Sequence, residues 1–178
     1  MNSDRREWVE ELATRHGRMV LAAAQRVLGN MEDAEDVLQG VFLRLLDKRL
    51  EHESARDWGA LLRVMATHAA IDLLRRRAKG KRQDSEVLDL LPDPGARSPV
   101  DIIEQRRLAR LLREALAQLP PGEGEAFALR YFEDFTHGQI ARHQGATANQ
   151  VAVMLHRARR KLRQILEPML APSMARKD

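Results

Sequence analysis

One four-residue pattern occurs twice near the end of this chain, and it leaves little freedom in how that part folds. Thr136-His137-Gly138-Gln139 and Thr147-Ala148-Asn149-Gln150 each place a hydroxyl residue three positions before a glutamine. In a capping box the hydroxyl accepts from the N–H three residues on, and the glutamine reaches back to the N–H of the capping residue. Two orphan donors of a helix start are satisfied together. Ile140, Ala141 and then Gly145 lie between the two boxes. The pattern predicts a short helix, a tight turn and a second, longer helix. That is the helix-turn-helix arrangement, whose second helix enters the major groove of DNA. A plain helical hairpin in a bundle fits the same residues.

The second helix separates its faces clearly. Val151, Leu155, Ala158, Leu162 and Ile165 recur at helical spacing and predict a core stripe. The other faces carry Asn149, His156, Arg157, Arg159, Arg160, Lys161 and Arg163. Such a helix can offer its first side chains to bases while its cations meet phosphate. A second basic run, Arg75, Arg76, Arg77, Lys79, Lys81 and Arg82, stands far upstream. Two separated basic patches suggest two contacts with one polyanion. Solvated helix C-termini account for them equally well. Acids gather elsewhere, at Glu32, Asp33, Glu35 and Asp36 and again from Asp84 to Asp93.

The 178 residues suffice for one ordinary domain or two small ones, and the 44% hydrophobic content supports a core. Ala, Leu, Arg and Glu dominate, and all are good helix formers, so an all-α chain is expected. There is no cysteine, which excludes disulfides and thiolate metal sites. The start of the chain carries no apolar signal core, and no apolar run nears the roughly 20 residues that span a bilayer. A cytoplasmic protein with no membrane insertion is expected. No phosphate loop, dinucleotide loop or nucleophile elbow occurs, and the histidines are scattered. Neither enzyme chemistry nor a cofactor or metal is expected.

Two helical blocks flank a poorer segment. The first opens with a helix to about Leu28, broken at Gly29-Asn30. Asn30 can cap the next helix, and the acids after it suit a positive helix end. There Val37, Leu38, Val41, Phe42, Leu45 and Leu46 form an apolar stripe, with Asp36, Gln39 and Arg44 falling away from it. After a polar stretch, Asp47 to Arg56, a third helix has Leu61, Leu62, Met65, Ala66, Ala69 and Leu73 as its predicted core face. His68, Asp72, Arg75 and Arg76 share a polar stripe on it. The segment from Gly80 to Val100 holds Pro92, Pro94, Gly95 and Pro99 and reads as an extended linker. A helix over Asp101 to Leu119 follows, broken by Pro120-Pro121-Gly122. Pro121 can open the next helix, which carries Phe127, Leu129, Tyr131 and Phe132. The expected boundaries are 1–79 for the first domain, 80–100 for the linker, 101–170 for the second domain and 171–178 for a tail.

With these residues placed, the chain resembles bacterial sigma factors of the extracytoplasmic-function (ECF) subgroup. The resemblance lies in AEDVLQGVFLRLL (Ala34 to Leu46), AIDLLRRR (Ala70 to Arg77), ALAQLPPGEGEAFALRYFEDFTHGQIA (Ala115 to Ala141) and VAVMLHRARRKL (Val151 to Leu162). It implies two small helical domains, of sigma-two and sigma-four type, joined by a flexible linker. It implies an alternative sigma factor that directs RNA polymerase to specific promoters; a stand-alone helix-turn-helix regulator is the alternative. Glu35, Asp36, Gln39, Phe42 and Leu43 would grip the clamp helices of the largest subunit of core RNA polymerase. Glu35 and Asp36 also serve as ordinary helix-start acids, and both readings can hold. His68, Asp72, Arg75 and Arg76 would lie at the minus-10 promoter element, where an unpaired base is captured; an ion pair of Asp72 with Arg75 or Arg76 is the plainer reading. Thr147, Asn149, Gln150, Val153, His156, Arg157 and Arg160 would meet the minus-35 element in promoter DNA. Helices near Phe127 and Tyr131 would pack under the flap of the second-largest subunit, although both aromatics are read mainly as core. Asp84 to Asp93 would mimic nucleic acid inside polymerase or act as a solvated tether. An anti-sigma factor clamping both domains is a further implied partner.

The chain departs from the family pattern in places. His68 stands where an asparagine is usual, and Leu61 where a tryptophan is common, with Trp58 about one turn earlier. Ala152, Val153 and Met154 replace a basic or polar pair, so base reading would rest on Asn149, Gln150 and apolar contact with thymine methyls. Gln144 and Ala146 replace larger apolar residues of the turn, so either an unusual minus-35 sequence or a less tightly packed domain is expected.

Overall fold

A computed structural model describes residues 3–47, 57–80 and 99–170. Among the described residues there are seven helices and no strand. They are α1 Ser3–Leu28, α2 Met31–Leu46, α3 Trp58–Gly80, α4 Pro99–Leu116, α5 Pro121–Tyr131, α6 His137–Gln144 and α7 Ala148–Leu170. The all-α expectation therefore holds. The polar stretch before α3, most of the segment read as a linker, with its acids, and the tail lie outside the described residues.

The turn between α1 and α2 follows from Gly29 and Asn30. Gly29 takes a left-handed φ of 68°, which a side chain would strain. Its N–H closes α1 on the carbonyl of Gln25 at 2.7 Å. Asn30 then caps α2 by accepting from the N–H of Asp33 at 3.2 Å. The helices fold back on each other and bury Val20, Ala23, Ala24 and Val27 of α1 against Val37, Val41 and Leu45 of α2. The α2 stripe is the one its spacing predicts. Leu38, Phe42 and Leu46 edge the same core.

Helix α3 departs from its predicted face. Its buried residues are Ala60, Leu62, Ala66, Thr67, Ala70 and Ile71, whereas Leu61, Met65, Ala69 and Leu73 are only partly covered. The cause is a second set of neighbours. α3 packs on α1 and α2 and also on α4 and α5. A helix covered from several sides has no single apolar stripe. Small residues at positions 60, 66 and 70 let the neighbouring helices come close.

Helix α4 starts at Pro99, ahead of the expected Asp101, and ends at Leu116. Proline suits a first helical position, because its missing N–H would be an orphan there. Residues up to Leu119 form a turn, in which the N–H of Leu119 bonds the carbonyl of Leu116 at 3.1 Å. Pro121 opens α5 as predicted. Ala115, Leu116 and Leu119 then pack on Ala158 and Leu162 of α7. A neighbouring cluster joins Leu129, Phe135, Ile140, Val151 and Leu155. Phe135, 1% exposed and absent from the predicted core, heads the fully buried side chains. Tyr131 corrects the reading of both aromatics as core: it is 45% exposed, while Phe127 is partly buried.

The clusters cross from one block to the other. Ala60 and Val64 of α3 belong to the cluster around Phe135, and Ala128 of α5 belongs to the α1–α2 core.

Candidate nucleic-acid interface

Both capping boxes form. Thr136 Oγ1 accepts from the N–H of Gln139 at 3.2 Å, and Gln139 Oε1 accepts from the N–H of Thr136 at 2.8 Å. Thr147 and Gln150 repeat the pair at 3.2 Å and 2.8 Å. Between them Gly145 takes a φ of 62° and ends α6. Val151, Leu155, Ala158 and Leu162 are buried as expected, and Ile165 is partly so. Asn149, Val153, His156, Arg157, Arg159, Arg160 and Arg163 are exposed along the outer faces of α7. Thr147 and Gln150 are exposed as well, but each is committed to the cap. Gln150 therefore keeps its amide N–H groups for an outside partner while its oxygen is taken. Lys161 leaves the open set, since its Nζ meets Glu123 Oε2 of α5 at 3.0 Å.

In the turn Gln144 does what a larger apolar residue would do elsewhere, by a polar route. Its Nε2 donates to the carbonyl of Gly122 at 3.3 Å and so ties α6 to the start of α5. Its buried Oε1 lacks a partner.

On α2 the outward face carries Glu35, Asp36, Gln39 and Leu43, all exposed, with Leu43 at 64%. Phe42 turns in to edge the first core. Asp33, one residue from the exposed acids, is buried and meets the guanidinium of Arg77 through both of its oxygens. Burial pushes the Asp33 carboxyl above its usual 3.8, and Arg77 pulls the other way. Arg77 is thus engaged within the first block.

Along α3, His68, Asp72, Arg75 and Arg76 do share one side. His68 Nε2 lies 3.2 Å from Asp72 Oδ2, one turn along. Asp72 is thus engaged by His68 rather than by Arg75 or Arg76, the pairing that stood as the plainer alternative. Asp72, Arg75 and Arg76 line a groove of about 310 Å³ with Arg44 and Lys79. Arg44 was legible only as a residue off the α2 stripe. A cationic groove with one carboxylate can track a phosphate backbone. Trp58 is turned away from it, packing edge-on against Trp8 of α1 with ring centres 5.0 Å apart.

The other ring nitrogen of His68 has a partner that sequence reasoning missed. Nδ1 lies 2.6 Å from Glu125 Oε1 of α5. Arg26 of α1 meets Glu133 at 2.6 Å, and the Glu133 side chain is 1% exposed. The Arg113 Nε of α4 donates to the carbonyl of Val27 at 3.1 Å. Its guanidinium fills the space over Gly29, where a Cβ would sit 2.2 Å from Cζ. Burial lowers its proton affinity. Arg63 of α3 lies over the Phe135 ring at 4.8 Å. No local motif announces these pairs, because their partners are distant in sequence.

A two-block, all-helical chain with an exposed basic recognition helix defines a DNA-binding transcription protein. Comparison with known families makes this specific. Residues 12–80 match the model of sigma-70 region 2, and residues 109–162 match that of sigma-70, region 4. The chain is 31% identical to the ECF RNA polymerase sigma factor SigE of Mycolicibacterium smegmatis over 88% of its own length, and spans 61% of that relative. It is 30% identical to the RNA polymerase sigma factor CarQ of Myxococcus xanthus, covering 88% of both chains. It is 31% identical to the ferric citrate uptake sigma factor FecI of Escherichia coli, covering 80% of this chain and 81% of that one. The sigma factor RpoE of Bartonella quintana, solved in complex with the anti-sigma factor NepR, has the same fold. It matches at a TM-score of 0.52 and 18% identity, over 89% of this chain and 96% of that one. The chain belongs to the ECF family of RNA polymerase sigma factors, whose members act in transcription initiation and are not enzymes. Among the described residues no helix is long and apolar enough to cross a membrane.

Proposed function

We propose that this chain is an alternative sigma factor that binds core RNA polymerase, carries it to specific promoters and helps open them in the cytoplasm. The observation that carries this reading is the presence of two open, chemically different faces on one member of the family. The α2 face of Glu35, Asp36, Gln39 and Leu43 is acidic with one exposed apolar side chain. It suits a protein partner, here the clamp helices of the largest polymerase subunit, with Phe42 supporting it from below. The α7 face of Asn149, Val153, His156, Arg157 and Arg160 suits duplex DNA, here the minus-35 element. Thr147 and Gln150 fix the start of that face. The groove of Asp72, Arg75, Arg76 and Arg44 suits the unpaired strand of the minus-10 element, with His68 at one end. Residues 1–79 form the sigma-two domain and 101–170 the sigma-four domain, with Tyr131 available to the polymerase flap.

The fold shared with a sigma factor crystallised with its anti-sigma factor supports a similar inhibitor here. The stand-alone regulator has no observation in its favour. It would leave the region 2 match and the open α2 face without a role.

Gel filtration with core polymerase, then transcription from a promoter library, tests the assignment. Co-elution and promoter-specific transcripts are expected. Binding of duplex DNA alongside indifference to polymerase would make the stand-alone regulator correct. Arg157→Ala with Arg160→Ala removes two phosphate partners, so the slope of log affinity against log salt should fall by about 1.8. Folding should be unaffected, because both side chains are exposed.

A further inference from the structure

The second capping box fixes more than the start of α7. A backbone N–H can meet only the oxygen of a glutamine amide, never its NH2 group. The bond from the Thr147 N–H to Gln150 Oε1 at 2.8 Å therefore sets which way that amide faces. The Gln150 N–H meets Thr147 Oγ1 in return at 3.2 Å. Oε1 is turned back on the start of its own helix, and Nε2 is left for an outside partner. Its two hydrogens have no acceptor among the described residues. The oxygen has a second lone pair, but the amide cannot hold it beside Nε2 toward one base edge. Asn149 differs: it is exposed, and its amide has no partner among the described residues. It can present oxygen and nitrogen together.

Val151, fully buried, sets the rotation of the helix. At about 100° per residue, Gln150 stands on the flank that Arg157 continues two turns on, and Asn149 on the strip that runs through Val153 to Arg160. All of these but Val151 are exposed. The first side chains of a recognition helix meet base edges, and its later cations meet phosphate.

We propose that Gln150 is a specificity residue for the minus-35 element, and that it selects guanine rather than the adenine that an unrestrained glutamine amide takes. This rests on the sigma-factor reading above, which assigns α7 to that element. In the major groove guanine shows two acceptors, N7 and O6, which match the two hydrogens of Nε2. Adenine shows N7 beside the N6 donor, and that donor needs the oxygen that the cap has taken. Cytosine shows only a donor, and thymine one acceptor beside its methyl group, so one N–H stays unmet.

The test offers the full-length chain with core polymerase a promoter library randomised across the upstream element. DNA is sequenced from the recovered complexes, and initiation is scored from the selected pool. One position should favour guanine over adenine roughly tenfold or more. Gln150→Glu keeps the capping box, because a carboxylate oxygen also takes the Thr147 N–H, but it has no hydrogen to donate. At that position alone, cytosine, which donates from N4, should gain roughly tenfold on guanine. Gln150→Ala should flatten the same position. Gln139→Glu makes the same change in the α6 box, on the helix that crosses the backbone, and should leave every preference within about twofold. Any base other than guanine favoured by the native chain at the position that responds to Gln150→Glu overturns the proposal. So does a selection in which no position responds. Failure of the native chain to bind polymerase or to initiate defeats the sigma-factor reading itself. Guanine selected by the chain without polymerase would then keep the Gln150 assignment on a stand-alone regulator.

Discussion

Helices α3 and α7 carry the two sets of residues assigned to promoter DNA, and they are built on opposite plans. α7 has one buried stripe, Val151 to Leu162, and leaves its arginines in water. α3 is covered from several sides, and its polar residues are partly spent on the protein itself, His68 on Glu125 and Arg77 on Asp33. A recognition helix that only docks on duplex DNA can stay open in the free protein. A helix that must receive a melted strand serves meanwhile as the seat for another block. The difference also decides cooperativity. If α3 is a shared core element, the blocks melt together; if it belongs to the first block alone, they melt apart.

Phe135→Ala puts this to its hardest test. The ring is fully buried, touches the α6–α7 cluster and lies under Arg63 of α3. Truncation should cost about 4 kcal/mol. Calorimetry should show one transition in the native chain and a shift of that whole transition in the variant. Two transitions, only one of them moved, would show that α3 is no shared element. Arg26→Ala comes next. It strands a carboxylate that is 1% exposed and already has one unpartnered oxygen, so about 3 kcal/mol of stability should go, seen as a lower urea midpoint. Adding Glu133→Gln should return much of it, because the stranded charge is then gone.

The same contrast explains what could be read from the chain. α7 was legible in detail, with its stripe, cap and open arginines, because α4, α5 and α6 all cover the same side of it and its burial follows one period. α2 was legible for the same reason. α3 was misread because Ala60 and Ala70 look alike to a periodicity argument whichever neighbour covers them. Phe135 escaped because it lies in the short connection before the Thr136 cap, where no period exists to flag it. Nothing local in the sequence singles out Glu125 or Glu133 as buried partners. Their partners, His68 and Arg26, are separated from them by 57 and 107 residues. Charge patterning within a helix cannot reveal pairs of that kind. The residues assigned to DNA on α7 were found by chemistry. The seam between the blocks needed coordinates.

The capping boxes give a smaller, sharper comparison within the second block. Thr147→Ala removes the acceptor for the Gln150 N–H and should cost about 1 kcal/mol, with Thr136→Ala costing the same. The two differ in function. Either variant keeps the N–H of residue 147 that holds the Gln150 side chain, but only Thr147→Ala loosens the start of the helix that carries Asn149 and Gln150, so only it should alter base preference in a binding selection. Equal effects of both variants on preference would mean that the start of α7 reads nothing.

The smallest effect concerns His143, at the end of α6, whose ring lies edge-on to Phe135 with centres 6.0 Å apart. Burial lowers its proton affinity from the usual 6.5, Arg142 adds to the fall, and Asp57 at the start of α3 opposes it. The folded chain thus favours the neutral ring. Stability from this group is fully present above about pH 6.5 and is lost as pH falls from there towards the lower folded value. Melting temperature should therefore decline on acidification through that window, and His143→Gln should decline less. Asp33 has the reverse sign in a lower window. Its carboxyl is raised, so stability from it falls as pH rises from about 3.8. If His143→Gln tracks the native chain at every pH, α6 is not held against Phe135 in the way that makes α3 a shared helix.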